Sequence, residues 1–203
     1  MDRIYASARH VIAWLGESVD ADEGAIEAIA KIANYASNHL NHHPGEFDHA
    51  EIMSDFLRGG ELPSLSEMAA VGSLFSRRWF RRLWVLQEVT MAKEVLFICG
   101  HLEIDWYNIA QACEILSQTD LSRSPGANLG IRGYGMITFV EWQREMLAEG
   151  SRLSVLDALD YGRLFKCSLG RDRLYAFFGM IDKTFDPIFT PDYLTADGEY
   201  CPF

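Results

Sequence analysis

The chain has 203 residues, of which 49% are hydrophobic and 12% aromatic, and its 29 acidic against 18 basic side chains give a formal net charge of -11. That size and composition suit one folded domain burying roughly 70% of the unfolded chain's surface, and they exclude a disordered or low-complexity chain. The acidic balance disfavours nucleic acid, which is bound by neutralising phosphates with Lys and Arg, and no apolar run reaches the roughly 18 residues of a membrane helix. Cys99, Cys113, Cys167 and Cys201 form no CxxC pair and read as free thiols, and the first residues hold no signal-peptide core. A soluble, cytoplasmic protein is expected.

Ile4 to Ala8 reads as a helix and Val11 to Leu15, ending at Gly16, as a buried strand. Asp20 or Asp22 opens a helix with apolar positions at Ala25, Ile26, Ile29, Ala30, Ile32, Ala33 and Ala36, running to about His39 before Pro44. Further helices are predicted from Glu46 to Leu57, stopped by Gly59-Gly60, and from Ser64 to Phe75, with Ser64 and Glu67 in capping-box spacing. Beyond the arginine-tryptophan block, Glu94 to Cys99 and Leu102 to Asp105 form a hairpin through Gly100-His101, with Gly first as in a type II′ turn. Trp106 to Gln118 is a helix with Ile109, Ala112, Cys113 and Leu116 on one face. Asp120 to Gly135 is a loop with five Gly and Pro positions, and Met136 to Leu147, Ser154 to Phe165 and Asp172 to Ile181 are three more helices. The tail after Asp186 reads as irregular.

The block Ser76 to Val89, SRRWFRRLWVLQEV, carries the strongest signal. On a wheel of about 100° per residue, Val89, Leu86, Trp79, Thr90, Leu83, Phe80, Met91 and Trp84 share one wide arc, so a single largely buried helix from Trp79 to Ala92 is predicted. Gln87 falls within that arc, where an unpaired amide costs about 1–3 kcal/mol, so it should have hydrogen-bond partners. Glu88 reads as a half-buried carboxylate held by Arg81, its pKa open to tuning. The cluster Arg77, Arg78, Arg81 and Arg82 either pairs with the protein's own carboxylates or docks an acidic partner or phosphate-bearing ligand.

RRWFRRLWVLQE, followed by the apolar run to Cys99-Gly100, resembles the fungal heterokaryon incompatibility (HET) domain. Ile4-Tyr5, Ala8, Val11 and Trp14-Leu15-Gly16 resemble that family's "IY, A, V, WLG" signature, and Arg171-Asp172-Arg173-Leu174-Tyr175-Ala176-Phe177-Phe178-Gly179 resembles its "RDKVYALLG" segment. The family's earlier Ser-Tyr-x-Trp-Gly and Trp-Ile-Asp strands and Cys-Ile-Asn-Gln motif have no counterpart, so the expectation is a domain lacking its opening strands. Leu169-Gly170 replaces the family's Asp-Pro, and Ser168 is expected to cap the following helix in its place.

The resemblance implies a helix-rich α/β fold with a partial TIR-like or flavodoxin-like architecture and short strands near 10–15, 94–99 and 102–105. Residues 1–185 would form the partial domain, with a variable loop near 120–135 and a tail at 186–203. Its implied role is fungal non-self recognition and programmed cell death through protein contacts, including self-association, with no bound cofactor. Trp14, Gly16, Trp79, Arg81, Arg82, Trp84, Gln87, Arg171, Asp172, Tyr175 and Gly179 are the family-motif positions. The family is distantly similar to the TIR domain, some members of which cleave NAD with a helix glutamate. Glu88 is then the catalytic candidate, NAD its substrate, and stabilisation of an oxocarbenium-like ribosyl centre its role. Gln87 and Glu88 as buried braces, and an inactive truncated domain, stay open beside it. His39 and His43 share a helix face at i, i+4 beside His42 and His49, but with no HExxH pattern the segment reads as a polar helix end and loop and no metal is expected; Gly130 to Gly135 follows no strand as a phosphate loop would, so it reads as flexible.

Overall fold

The computed structural model describes residues 2–42, 63–118 and 131–182. In chain order these form α1 (Asp2–Ser7), β1 (Val11–Gly16), α2 (Asp20–His42), α3 (Leu65–Phe75), a 3-10 turn (Arg78–Arg81), α4 (Val85–Thr90), β2 (Val95–Cys99), β3 (Leu102–Asp105), α5 (Trp106–Gln118), α6 (Ile131–Ala148), α7 (Val155–Gly162) and α8 (Asp172–Tyr175). The helix-rich α/β class and its three strands are as the sequence indicates. The predicted helix from Glu46 to Leu57 and the tail from 186 lie outside the described residues.

The chain divides into two compact units, one of Met1–Val11, Arg81–Lys93 and Val140–Phe203, the other of Ile12–Phe80 and Glu94–Phe139. In the second, the sheet order is β1-β2-β3, and β2 pairs antiparallel with β3 from Leu96 opposite Asp105 to Cys99 opposite Leu102. Gly100 has φ +57 while His101 stays at negative φ, the type II′ pattern that glycine permits. α2 packs on α3 and α5 through Ala25, Ala28, Ile29, Ile32 and Ala33, and α5 buries Ile109, Ala112, Cys113 and Leu116, the face its periodicity marked. The aromatics form a connected core: Trp79 sits edge-on to Phe80 and Phe97 at 5.1 and 5.0 Å, and Phe97 stacks on Trp106 at 5.8 Å. Each such pair contributes about 0.5–1.5 kcal/mol beyond its area burial.

The capping box of α3 is complete: Ser64 Oγ accepts from Glu67 N at 3.2 Å, and Glu67 Oε2 accepts from Ser64 N at 2.6 Å. Lys31 Nζ donates to the other carboxylate oxygen at 2.6 Å, linking α2 to α3. This lysine bond, followed by the two Ser64 bonds, holds the Glu67 carboxyl down to about 2.

Four expectations are corrected. The predicted helix Trp79 to Ala92 is interrupted, because Lys166 N donates to Arg81 O at 2.8 Å and Leu83 N donates to Lys166 O at 3.1 Å, taking those groups out of any helical ladder. α6 begins at Ile131, inside the expected loop, so Gly133 and Gly135 are helical. A Cβ at Gly133 would collide with the Phe75 carbonyl oxygen, so glycine here serves close packing instead of flexibility. α8 is a single turn that stops at Tyr175, well before Ile181. Leu153 N donates to Met180 O at 3.0 Å and Asp182 N to Leu153 O at 2.9 Å, which draws the chain into a bridge. The N-cap of α8 is Arg171, without a side-chain cap, so Ser168 does not take that role.

Candidate functional site

In the unit containing α1, α4, α7 and α8, the bridge between Arg82 and Lys166 fixes the backbone just before α4. Trp84 then stands at the N-cap of α4, and its Nε1 donates to Asp172 Oδ2 at 3.1 Å. Asp172 is 6% exposed, so its carboxylate is held inside the protein, where a charge without donors would be costly. The two motif segments, far apart in sequence, thus meet through one residue of each.

Other motif residues lie around that joint. Tyr175 is buried, and its ring lies 5.2 Å from that of Phe178. Gly179 O accepts from Arg152 Nη1 at 2.8 Å. α7 and α8 pack closely because Gly162 lacks a Cβ, which would lie 2.7 Å from Arg173 O. Arg171 opens α8 and Arg81 closes the 3-10 turn.

Glu88 lies in the first turn of α4 and is half-buried. Burial pushes its carboxyl above the usual range, and the guanidinium of Arg82 draws it back down. The arginine facing Glu88 is therefore Arg82 instead of Arg81. Uninterrupted helical spacing would bring Arg81 to Glu88, and the interruption at Arg81 to Leu83 removes that spacing. Tyr5 on α1 shares the neighbourhood: its phenol is raised by burial and then by Glu88, and lowered by Arg82. A phenol, a carboxyl and a guanidinium thus occupy one place, with α1 packed on α4.

Gln87 is buried as predicted, but its Oε1 has no hydrogen-bond partner among the described residues, and neither has Oγ1 of buried Thr90 one turn on. The expectation of satisfied Gln87 partners is not met for that oxygen. Not foreseen from the sequence is Arg144, whose guanidinium donates to Val89 O at 2.7 Å and Lys93 O at 3.3 Å, serving one carbonyl in the last turn of α4 and one beyond it. Its signal was an arginine on an apolar helix.

The other unit holds Trp14, Gly16 and Trp79. Trp79 belongs to the aromatic core, whereas Trp14 and Ile12, two residues apart on β1, are 50% and 62% exposed. Gly16 has φ +103, and its carbonyl accepts from Gly100 N at 2.8 Å. Beside it lies a polar cluster the sequence did not announce. Arg77 donates to Leu15 O at 2.9 Å, Glu17 O at 3.0 Å and Asp22 Oδ2 at 2.6 Å. The Cys99 thiol lies 3.4 Å from the same carboxylate oxygen. Burial first, then the Asp22 hydrogen bond, pushes this thiol up to about 11, which makes it a poor nucleophile. Of the four arginines in the cluster, Arg77 thus pairs internally, with Asp22.

Among the described residues no three His, Cys, Asp or Glu side chains converge to hold a metal ion, and no helix is long and apolar enough to cross a membrane. His43 and His49 lie outside those residues.

Residues 1–88 match the family model described as "Heterokaryon incompatibility protein (HET)". A curated relative, "Heterokaryon incompatibility protein 6, OR allele" from Neurospora crassa, is 27% identical over 115 residues, covering 50% of this chain and 17% of the relative. The chain thus spans about a sixth of that relative's length. No solved structure matches the chain. The family resemblance read from the motifs is borne out for residues 1–88, which include β1, Trp79, Phe80 and Glu88. Arg171 to Gly179 lies beyond that match and is joined to it through Asp172 and Trp84.

Proposed function

We propose that this chain carries the effector module of a fungal heterokaryon-incompatibility-type protein, acting in the cytoplasm to trigger cell death through protein contacts. The observation that carries the reading is the match of residues 1–88 to the HET family. It is supported by exposed apolar side chains such as Ile12, Trp14 and Val19, which suit a surface that docks a partner or a second copy. Expression in fungal cells tests it. Death should follow, should persist in Glu88→Gln, and should be lost when Arg81 and Arg82 are both changed to Ala. Viability unaffected by the wild-type chain would contradict the reading.

A second reading, NAD cleavage with Glu88, is favoured by the raised carboxyl beside Arg82 and Tyr5. A carboxylate so placed could face a developing ribosyl cation. NAD loss abolished by Glu88→Gln would distinguish it.

A further inference from the structure

We propose that the paired backbone at Arg82 and Lys166 is a docking point for an acidic, leucine-containing segment of a protein partner. The inference rests on the contact-signalling reading above and adds to it the chemistry of the partner.

The bridge between these residues is parallel, with Leu83 N donating to Lys166 O and Lys166 N to Arg81 O. Residues directly opposite in such a bridge project to the same face, and like charges so placed repel. Both side chains are exposed. Among the described residues neither enters an ion pair. Arg82 feels the half-buried carboxyl of Glu88. In a chain of net charge -11, two exposed basic residues brought together by one backbone bridge form a local positive face to which an incoming carboxylate is complementary. Leu164, two residues before Lys166, is 63% exposed, so an apolar side chain next to the acid would find a surface to cover. That pairing of charge and apolar area favours a peptide over a free anion. The net negative charge opposes long polyanions, whose other charges would meet the acidic remainder of the surface.

Binding of a fluorescein-labelled peptide of alternating Glu and Leu to the full chain, read by fluorescence polarisation, tests this. The wild type should bind it and should ignore the Lys-Leu counterpart, with binding lost at high salt. Arg82→Gln and Lys166→Gln should each weaken binding roughly three- to tenfold, while Lys166→Arg and the control Lys93→Gln should retain it. Melting curves identify any variant that has lost its fold, and Lys166→Arg then separates charge from folding. Equal binding by wild type and both Gln variants, no binding by wild type, or tighter binding to phosphatidylserine vesicles than to the peptide would overturn the proposal. Cell killing is scored separately. Killing that persists when peptide binding fails removes this site alone, whereas intact peptide binding by a chain that kills no cells removes the signalling role and leaves the site.

Discussion

The indole N–H of Trp84 donates to the carboxylate of Asp172 across 88 positions of sequence, at 3.1 Å. Trp84 begins α4, which carries Glu88, and Asp172 begins α8, so this bond joins the two motif-bearing segments of one unit. A hydrogen bond to a charged acceptor contributes about 1.5–3 kcal/mol. Trp84→Phe, which keeps a ring and removes the donor, should lower unfolding stability by that amount in denaturant titration. Combined with Asp172→Asn it should lose less than the sum of the two single changes. Strict additivity would show that the bond carries no coupling.

The two glycines at the start of α6 should respond in opposite directions to alanine. At Gly135 a new Cβ meets open space, and the helix propensity gained should stabilise by about 0.5–1 kcal/mol. At Gly133 the same atom meets the Phe75 carbonyl, so Gly133→Ala should lower the melting temperature. Equal, near-zero shifts would return this segment to a flexible loop.

Arg77 serves three acceptors with one planar fork, and Asp22 beneath it has a side chain only 3% exposed. Arg77→Ala leaves that carboxylate buried without its cation and should cost about 3–5 kcal/mol, measured by chemical unfolding. Arg77→Lys should recover only part, because a point charge cannot reach all three oxygens at once. Full recovery would show that charge alone matters here.

Acid should weaken the chain through Glu67. Its folded value lies at about 2, below the ordinary range, so the unfolded chain takes up the proton first as pH falls. The stabilisation is therefore complete above about pH 4.5 and lost progressively down to about pH 2. Glu67→Gln should flatten the stability profile in that window and cost about 1 kcal/mol at neutral pH as the capping box weakens. Thermal unfolding across pH would reveal a parallel, unflattened profile if the carboxylate were idle.

Much of this structure was legible from local pattern. Ser64 and Glu67 announced a cap, Gly100 a type II′ hairpin, and the spacing of Ile109, Ala112, Cys113 and Leu116 a buried face, because each depends on chemistry within a few residues. What escaped depends on partners distant in sequence. The helix expected through Arg81 to Leu83 yields to backbone bonds with Lys166, and with it goes the pairing of Arg81 with Glu88. Gly133 resembled a loop residue because the Phe75 carbonyl it accommodates lies on another helix. The Arg77, Asp22 and Cys99 cluster had no spacing to reveal it, since its members come from three separate elements or their flanks. Trp84 and Asp172 were each singled out by resemblance, and no periodicity could have paired them.

The most direct test of the central claim is to measure NAD content together with viability in fungal cells expressing the wild-type chain or Glu88→Gln. Signalling by contact predicts death at unchanged NAD with both proteins. A fall in NAD that precedes death in the wild type and disappears, with the killing, in Glu88→Gln would contradict it and make Glu88 the catalytic residue of an NAD-cleaving enzyme.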